Sequence, residues 1–191
     1  VERRKQEVMK KYIILSIVLC LGFTGNLLAQ SIVPDTLLFV FKLHGQTRKY
    51  EMSFREKQDS LYLYWGIERN LKWQSGSYAM SPESISRGTR LSFLQPEDGK
   101  HVKLSPEETV YVLSHSAYKQ LKEQHSFVYN RTTYSVQERN EQALGYPLIH
   151  VKDAMEGGEM WILDNPKLPL VWRMRENPLG INWEIAAQPS F

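Results

Sequence analysis

Ser116-Ala117-Tyr118-Lys119 has the spacing of an acyl-transfer nucleophile with a lysine placed to help remove its proton. No Lys-Thr-Gly follows it, and the segment reads more simply as a capped amphipathic helix. His44, His101, His115, His125 and His150 are dispersed, with no His-x-His or His-Glu-x-x-His arrangement to bring two ring nitrogens onto one metal. Asp153, Glu156 and Glu159 surround Gly157-Gly158, but their spacing does not fit a twelve-residue calcium loop and reads as a polar hairpin turn. There is no phosphate-binding glycine loop, no Gly-x-Ser-x-Gly elbow and no dinucleotide fingerprint. No catalytic residue, metal ligand or cofactor is therefore expected, and ligand-binding residues stay unassigned. Paired carboxylates for polymer hydrolysis remain open, because their separation is a property of the fold.

Trp65, Trp73, Trp161, Trp172 and Trp183, with ten tyrosines, make the chain rich in aromatic residues. Such residues routinely fill a β core, and they can also line a pocket for an apolar or sugar-like ligand. Asn130-Arg131-Thr132 is a glycosylation sequon by pattern only, since the export signal described next does not suggest a eukaryotic route.

The elements that would position these residues begin after residue 29. Basic residues from Arg3 to Lys11, an apolar run from Tyr12 to Phe23 and a short segment ending Leu27-Leu28-Ala29-Gln30 are the three parts of a secretory signal peptide. Gly22, Thr24, Gly25 and Asn26 interrupt the run well short of the roughly 20 apolar residues a spanning helix needs. The expected organisation is a signal peptide with an upstream extension at 1–29, Met9 fitting the start, and a single antiparallel β domain at 30–191. Leu19 stands where a lipoprotein signal needs a small residue before Cys20, so lipidation is not expected, and cleavage leaves a cysteine-free chain.

Cleavage also changes the charge. Five of the 24 basic and two of the 21 acidic residues lie in 1–29, leaving nineteen of each. A balanced chain offers no general attraction to nucleic acid or to an anionic membrane surface.

Leu37 to Leu43 is apolar at both parities and reads as a central strand covered on both faces. Tyr50, Met52 and Phe54 alternate with polar residues, so a hairpin through His44-Gly45-Gln46-Thr47 is expected. Further strands are read at 60–67, 71–80, 90–94 and 109–113, with Ser81-Pro82 ending the fourth of the series. One helix is expected from His115 to Glu123, capped by Ser114 or Ser116 and burying Ala117, Tyr118 and Leu121. The alternative is a longer helix starting at Pro106. Trp161, Trp172 and Trp183 recur every eleven residues with turn residues between them, which predicts a meander through 148–153, 160–164, 170–175 and 181–186. The fold class expected is mainly β (α+β): a strongly curved antiparallel sheet or open barrel of seven to ten strands with one short helix.

This strand pattern on an exported chain resembles the open β-barrels of the periplasm, including the LolA-like lipoprotein carriers. The segments Trp161-Ile162-Leu163-Asp164-Asn165-Pro166 and Leu168-Pro169-Leu170-Val171-Trp172 are similar to those of uncharacterised exported β proteins of Gram-negative bacteria. The resemblance implies a curved sheet sheltering an apolar cavity. The leading expectation is a non-enzymatic periplasmic or envelope-associated module that binds an apolar small molecule or lipid, or an envelope protein. The alternatives are a hydrolase of envelope or extracellular polymer, marked by a wet acidic cleft, and a structural envelope protein with a filled core and a sticky face. Intact mass measured on protein from the periplasm of an expressing cell is expected to match a chain opening at Gln30; a mass that retains residues 10–29 would overturn the signal-peptide reading.

Overall fold

The structure, a computed structural model, describes residues 33–93 and 95–187, and the expected signal peptide at 1–29 lies outside them. β1 (Leu37–Leu43), β2 (Gln46–Lys57), β3 (Ser60–Arg69) and β4 (Lys72–Met80) form an antiparallel meander. Its reversals are two-residue turns at His44-Gly45, Gln58-Asp59 and Asn70-Leu71, with both residues of each at positive φ. That geometry carries the right-handed twist that adjacent strands need.

The chain then leaves the sheet. α1 (Pro82–Arg87), β5 (Arg90–Leu91), β6 (His101–Lys103), β7 (Glu108–Thr109) and α2 (His115–Gln124) form a long connector. The chain returns as a second meander of β8 (Ser126–Tyr129), β9 (Thr132–Ala143), β10 (Tyr146–Asp153), β11 (Glu159–Leu163), β12 (Val171–Arg175) and β13 (Ile181–Ala186). Eleven strands make one sheet in the order β6-β4-β3-β2-β1-β13-β12-β11-β10-β9-β8, while β5 and β7 pair apart from it. The sheet is curved, mostly antiparallel and not closed, and β4 with β6 is its parallel pair. Among the described residues no helix is long and apolar enough to cross a membrane.

The two meanders are joined where β1 pairs with β13, Phe41 opposite Trp183. The sheet's free ends are therefore β6 beside β4 on one side and β8 on the other, and the connector ties itself to both. Leu104 N–H donates to the Ala79 carbonyl and the Val110 amide approaches Met80 Sδ. On the other side Asn130 N–H donates to the Thr89 carbonyl, Asn130 Oδ1 accepts from Leu91 N–H, and Tyr129 Oη accepts from Ser114 N–H. The connector then crosses the inner face to β12, where Leu113 N–H bonds the Pro169 carbonyl and Val171 N–H bonds the Tyr111 carbonyl.

Tyr111 is the point of deepest contact. Its φ of 56° is the left-handed region, unusual for a buried aromatic residue and costing on the order of 1–3 kcal/mol. The turn drives its ring against Phe39, Phe41 and Trp183 at centroid distances of 5.2, 5.8 and 5.3 Å. Burial of side chains such as these, at about 1.5–3 kcal/mol each, offsets the strain.

Several expectations are refined. The helix at His115 is α2, and Ser114 rather than Ser116 caps it, accepting from Ala117 N–H. Ser81-Pro82 does end β4, but it also opens α1: Ser81 Oγ caps Ser84 N–H and Pro82 takes the first helical turn. The strand read at 109–113 keeps Thr109 in β7 and a single bridge from Val112 to Leu170, because the Tyr111 turn breaks the ladder. Of the strand read at 90–94, Arg90–Leu91 is strand, Ser92 and Phe93 are not, and Leu94 lies outside the described residues. β1 is central, yet Leu38 and Val40 on its outer face are only half-buried. β8 and β9 were not anticipated; their turn, Asn130-Arg131, adopts positive φ without a glycine to signal it.

Two glycines set the packing of β3 on β4. Trp65 lies over Gly76 on the inner face, and Trp73 lies over Gly66. A Cβ at position 76 would stand 2.5 Å from the Lys100 carbonyl oxygen and 2.8 Å from Trp65 Cζ2. Gly76→Ala is expected to cost about 1–3 kcal/mol, seen as a lower urea midpoint, because both neighbours must move. An unchanged midpoint would show that Trp65 and the β4–β6 edge do not need this close approach.

Candidate functional site

At one end of the inner face, three turns and loops meet over a pocket of about 460 Å³. β1 supplies Phe41 and Leu43, β2 supplies Gln46, Arg48 and Tyr50, and β13 supplies Ile181. Register places them on one face, Phe41 opposite Arg48, and Leu43 opposite both Gln46 and Ile181. The His44-Gly45 turn and the Asn177–Gly180 turn form the rim, close enough that a Cβ at Gly180 would lie 3.5 Å from His44 Cε1. Phe93 closes one side, its ring 5.9 Å from Trp183, and Tyr111 of the connector lines the pocket beside Phe41.

The pocket is apolar at its floor and polar at its rim. Phe41 meets Tyr50 edge to face at 5.4 Å, and this aromatic floor is continuous with the core. Burial raises the Tyr111 hydroxyl well above the ordinary phenol range, helped by the neighbouring Tyr78 and Tyr50 phenols. Burial likewise pushes Tyr78 up to about 12, with Tyr50 and Glu97 contributing. These hydroxyls stay protonated at any ordinary pH and are available as donors. Among the described residues no Asp or Glu lines the pocket.

The residues singled out by chemistry do not converge there, apart from His44 at the rim. Ser116 and Lys119 are exposed; Ser116 lies 3.2 Å from Ser114 Oγ, and Lys119 faces Glu123 at 3.9 Å. His101 Nδ1 is 2.8 Å from Ser77 Oγ, His115 opens α2, and His125 closes it in the left-handed region. Asp153 is buried and accepts from Met155 and Glu156 N–H, which makes the stretch around Gly157 a polar hairpin turn. Asn130 is engaged through its side-chain oxygen in holding the connector. Among the described residues no three His, Cys, Asp or Glu groups gather as a metal site would need.

The tryptophans divide. Trp65, Trp172 and Trp183 are core, Trp73 is 56 % exposed, and Trp161, also buried, sits in a ladder of side chains on the outer face. There His150 stacks on Trp161 at 4.2 Å and 3°, with the Arg173 guanidinium 4.9 Å from the same indole. Glu159 lies 3.2 Å from His150 Nε2 and accepts from Lys152 Nζ at 2.9 Å. Hydrogen bonding from Lys152 chiefly, and then from His150, holds the Glu159 carboxyl below its ordinary range, against the opposing effect of burial. Burial would also raise Glu108, but hydrogen bonds from Ser105 and Ser92 and the charge of Arg90 outweigh it. Both shifted acids thus move away from the raised value that a general acid needs.

The reading of the sequence assigned no ligand-contacting residue. A signal was present: Arg48 shares the strand parity of Tyr50 and Met52, so a guanidinium was placed on the inward face. Compared with family models, curated proteins and solved structures, the chain matches none of them.

The Glu159 ladder carries a pH dependence. With its folded pKa below the unfolded value near 4.5, its contribution is present above that pH and is lost as the pH falls through the folded value. Glu159→Gln is therefore expected to lower stability at pH 7 and to narrow the gap to wild type at pH 3, read by urea denaturation at the two pH values. An equal gap at both would show that the carboxylate is not linked to folding.

Proposed function

We propose that this chain is an exported, periplasmic or envelope-associated module that binds an apolar small molecule at the inner-face pocket and performs no chemistry on it. The observation that carries the reading is the pocket itself: an aromatic floor, a polar rim and a volume within the roughly 300–1,000 Å³ typical of small-ligand sites. The open, curved sheet supports kinship of architecture with the LolA-like carriers, and the cleavable signal expected at 1–29 supports the location. The connector crosses the inner face, and the pocket of about 460 Å³ beside it suits a compact ligand rather than a lipid with several long chains.

An envelope protein as partner is the second reading, favoured by one observation. Tyr64 and Trp73 are 43 % and 56 % exposed on neighbouring strands, a larger aromatic surface than a solvated sheet face needs.

Native mass spectrometry on protein purified gently from the periplasm tests the first reading. The expected result is an additional mass that solvent extraction releases, and its loss in Ile181→Trp, which fills the pocket from β13. A bare chain mass in both proteins would overturn the reading and favour the protein partner.

A further inference from the structure

We infer that the pocket's ligand is a monoanion, an apolar body ending in a single carboxylate-type group, held by Arg48; this rests on the pocket reading above. Arg48 is half-buried on the inward face of β2, directly opposite Phe41. Its one hydrogen bond to a side chain among the described residues is to Gln46 Oε1, at a long 3.4 Å. The other strand and helix arginines near carboxylates use them: Arg55 pairs with Asp35, Arg87 with Glu83, Arg90 with Glu107 and Glu108, and Arg173 and Arg175 with Glu184. Arg69 and Arg131, which have no such pair among the described residues, are exposed to water. Among the arginines whose side chains are described, Arg48 alone combines partial burial, an aromatic neighbour and no counter-ion.

A guanidinium drawn partly out of water without a partner raises the free energy of the folded chain, and an anion entering the pocket removes that cost. The lining is suited to such an anion in every respect of charge. Among the described residues it holds no carboxylate to repel one, and Glu97, the acid that acts on Tyr78 nearby, pairs with Lys100. Tyr50 and Tyr111, each with a hydroxyl donor, line the same pocket as Arg48, whose planar fork has the geometry that carboxylates match. One fixed positive charge balances one negative charge, which favours a carboxylate over a doubly charged phosphate monoester.

Dodecanoate and dodecanol, equal in chain and different in charge, are the probes. Titrated calorimetrically into the mature chain at pH 7.5, dodecanoate is expected to bind about tenfold or more tightly than dodecanol. Arg48→Gln should reduce dodecanoate to the level of dodecanol, so that the preference between the two probes is lost. Gln46→Glu, which changes an exposed side chain already touching Arg48, should also weaken dodecanoate selectively by giving the guanidinium an internal partner. Equal binding of the two probes by wild type, or a preference that survives both substitutions, would overturn the monoanion while leaving an apolar pocket standing. Failure of wild type to bind either probe would overturn the pocket reading and this inference together.

Discussion

The pairing of β1 with β13 governs the rest of the molecule. Each meander is a local structure: the three reversals of the first and the first two of the second are two-residue turns whose positive φ at both positions suits strand twist. Left apart, each would expose one apolar face, because an antiparallel sheet of this kind buries its inner residues only against a second layer. Joining the first strand to the last makes one continuous inner face from Met80 through Phe39 and Trp183 to Phe127. It also fixes where the sheet stays open, between β6 and β8. The connector must then both bridge that gap and supply the second layer, and it does so by bonding β4, β8 and β12 in turn.

The pocket is what this arrangement leaves over. Tyr111 fills the centre of the inner face at the expense of a left-handed backbone, and beyond its ring the connector lines the end of β1 and β2, at Phe93, Gln95 and Pro96, without filling it. Side chains there still follow the inward parity of the core, so the site inherits an aromatic floor. Among the described residues its fixed charge comes from Arg48, which shares that parity. A site formed this way is selective by sign and by size before any particular contact is considered, since low local polarity makes an unbalanced charge costly.

The outer face follows a different logic. On β10 to β13, ionic and stacked side chains form a ladder across the register, with Trp161 between His150 and Arg173 and with Glu159 and Glu184 balancing the cations. On β3 and β4 the same face carries Tyr62, Tyr64 and Trp73, and Trp73 covers Gly66. Aromatic residues set over strand glycines at both faces, Trp65 on Gly76 and Trp73 on Gly66, brace this part of the sheet where side chains are missing.

The sequence by itself determined what depends on neighbours a few residues apart. The alternation of Tyr50 with Lys49, the turn residues between Trp161, Trp172 and Trp183, and Ser114 ahead of Ala117 were sufficient for strands, reversals and a capped helix, hence for an open, mainly β fold. Where a local cue was missing the reading failed, as at Asn130-Arg131, whose left-handed turn contains no glycine. Tertiary structure decided the rest: that β1 meets β13, that 110–113 crosses the sheet as a strained plug instead of a strand, and that Arg48 faces an aromatic pocket without a counter-ion. Those outcomes rest on contacts between residues far apart in the chain, and side-chain periodicity records only which face a residue takes, never what that face will meet.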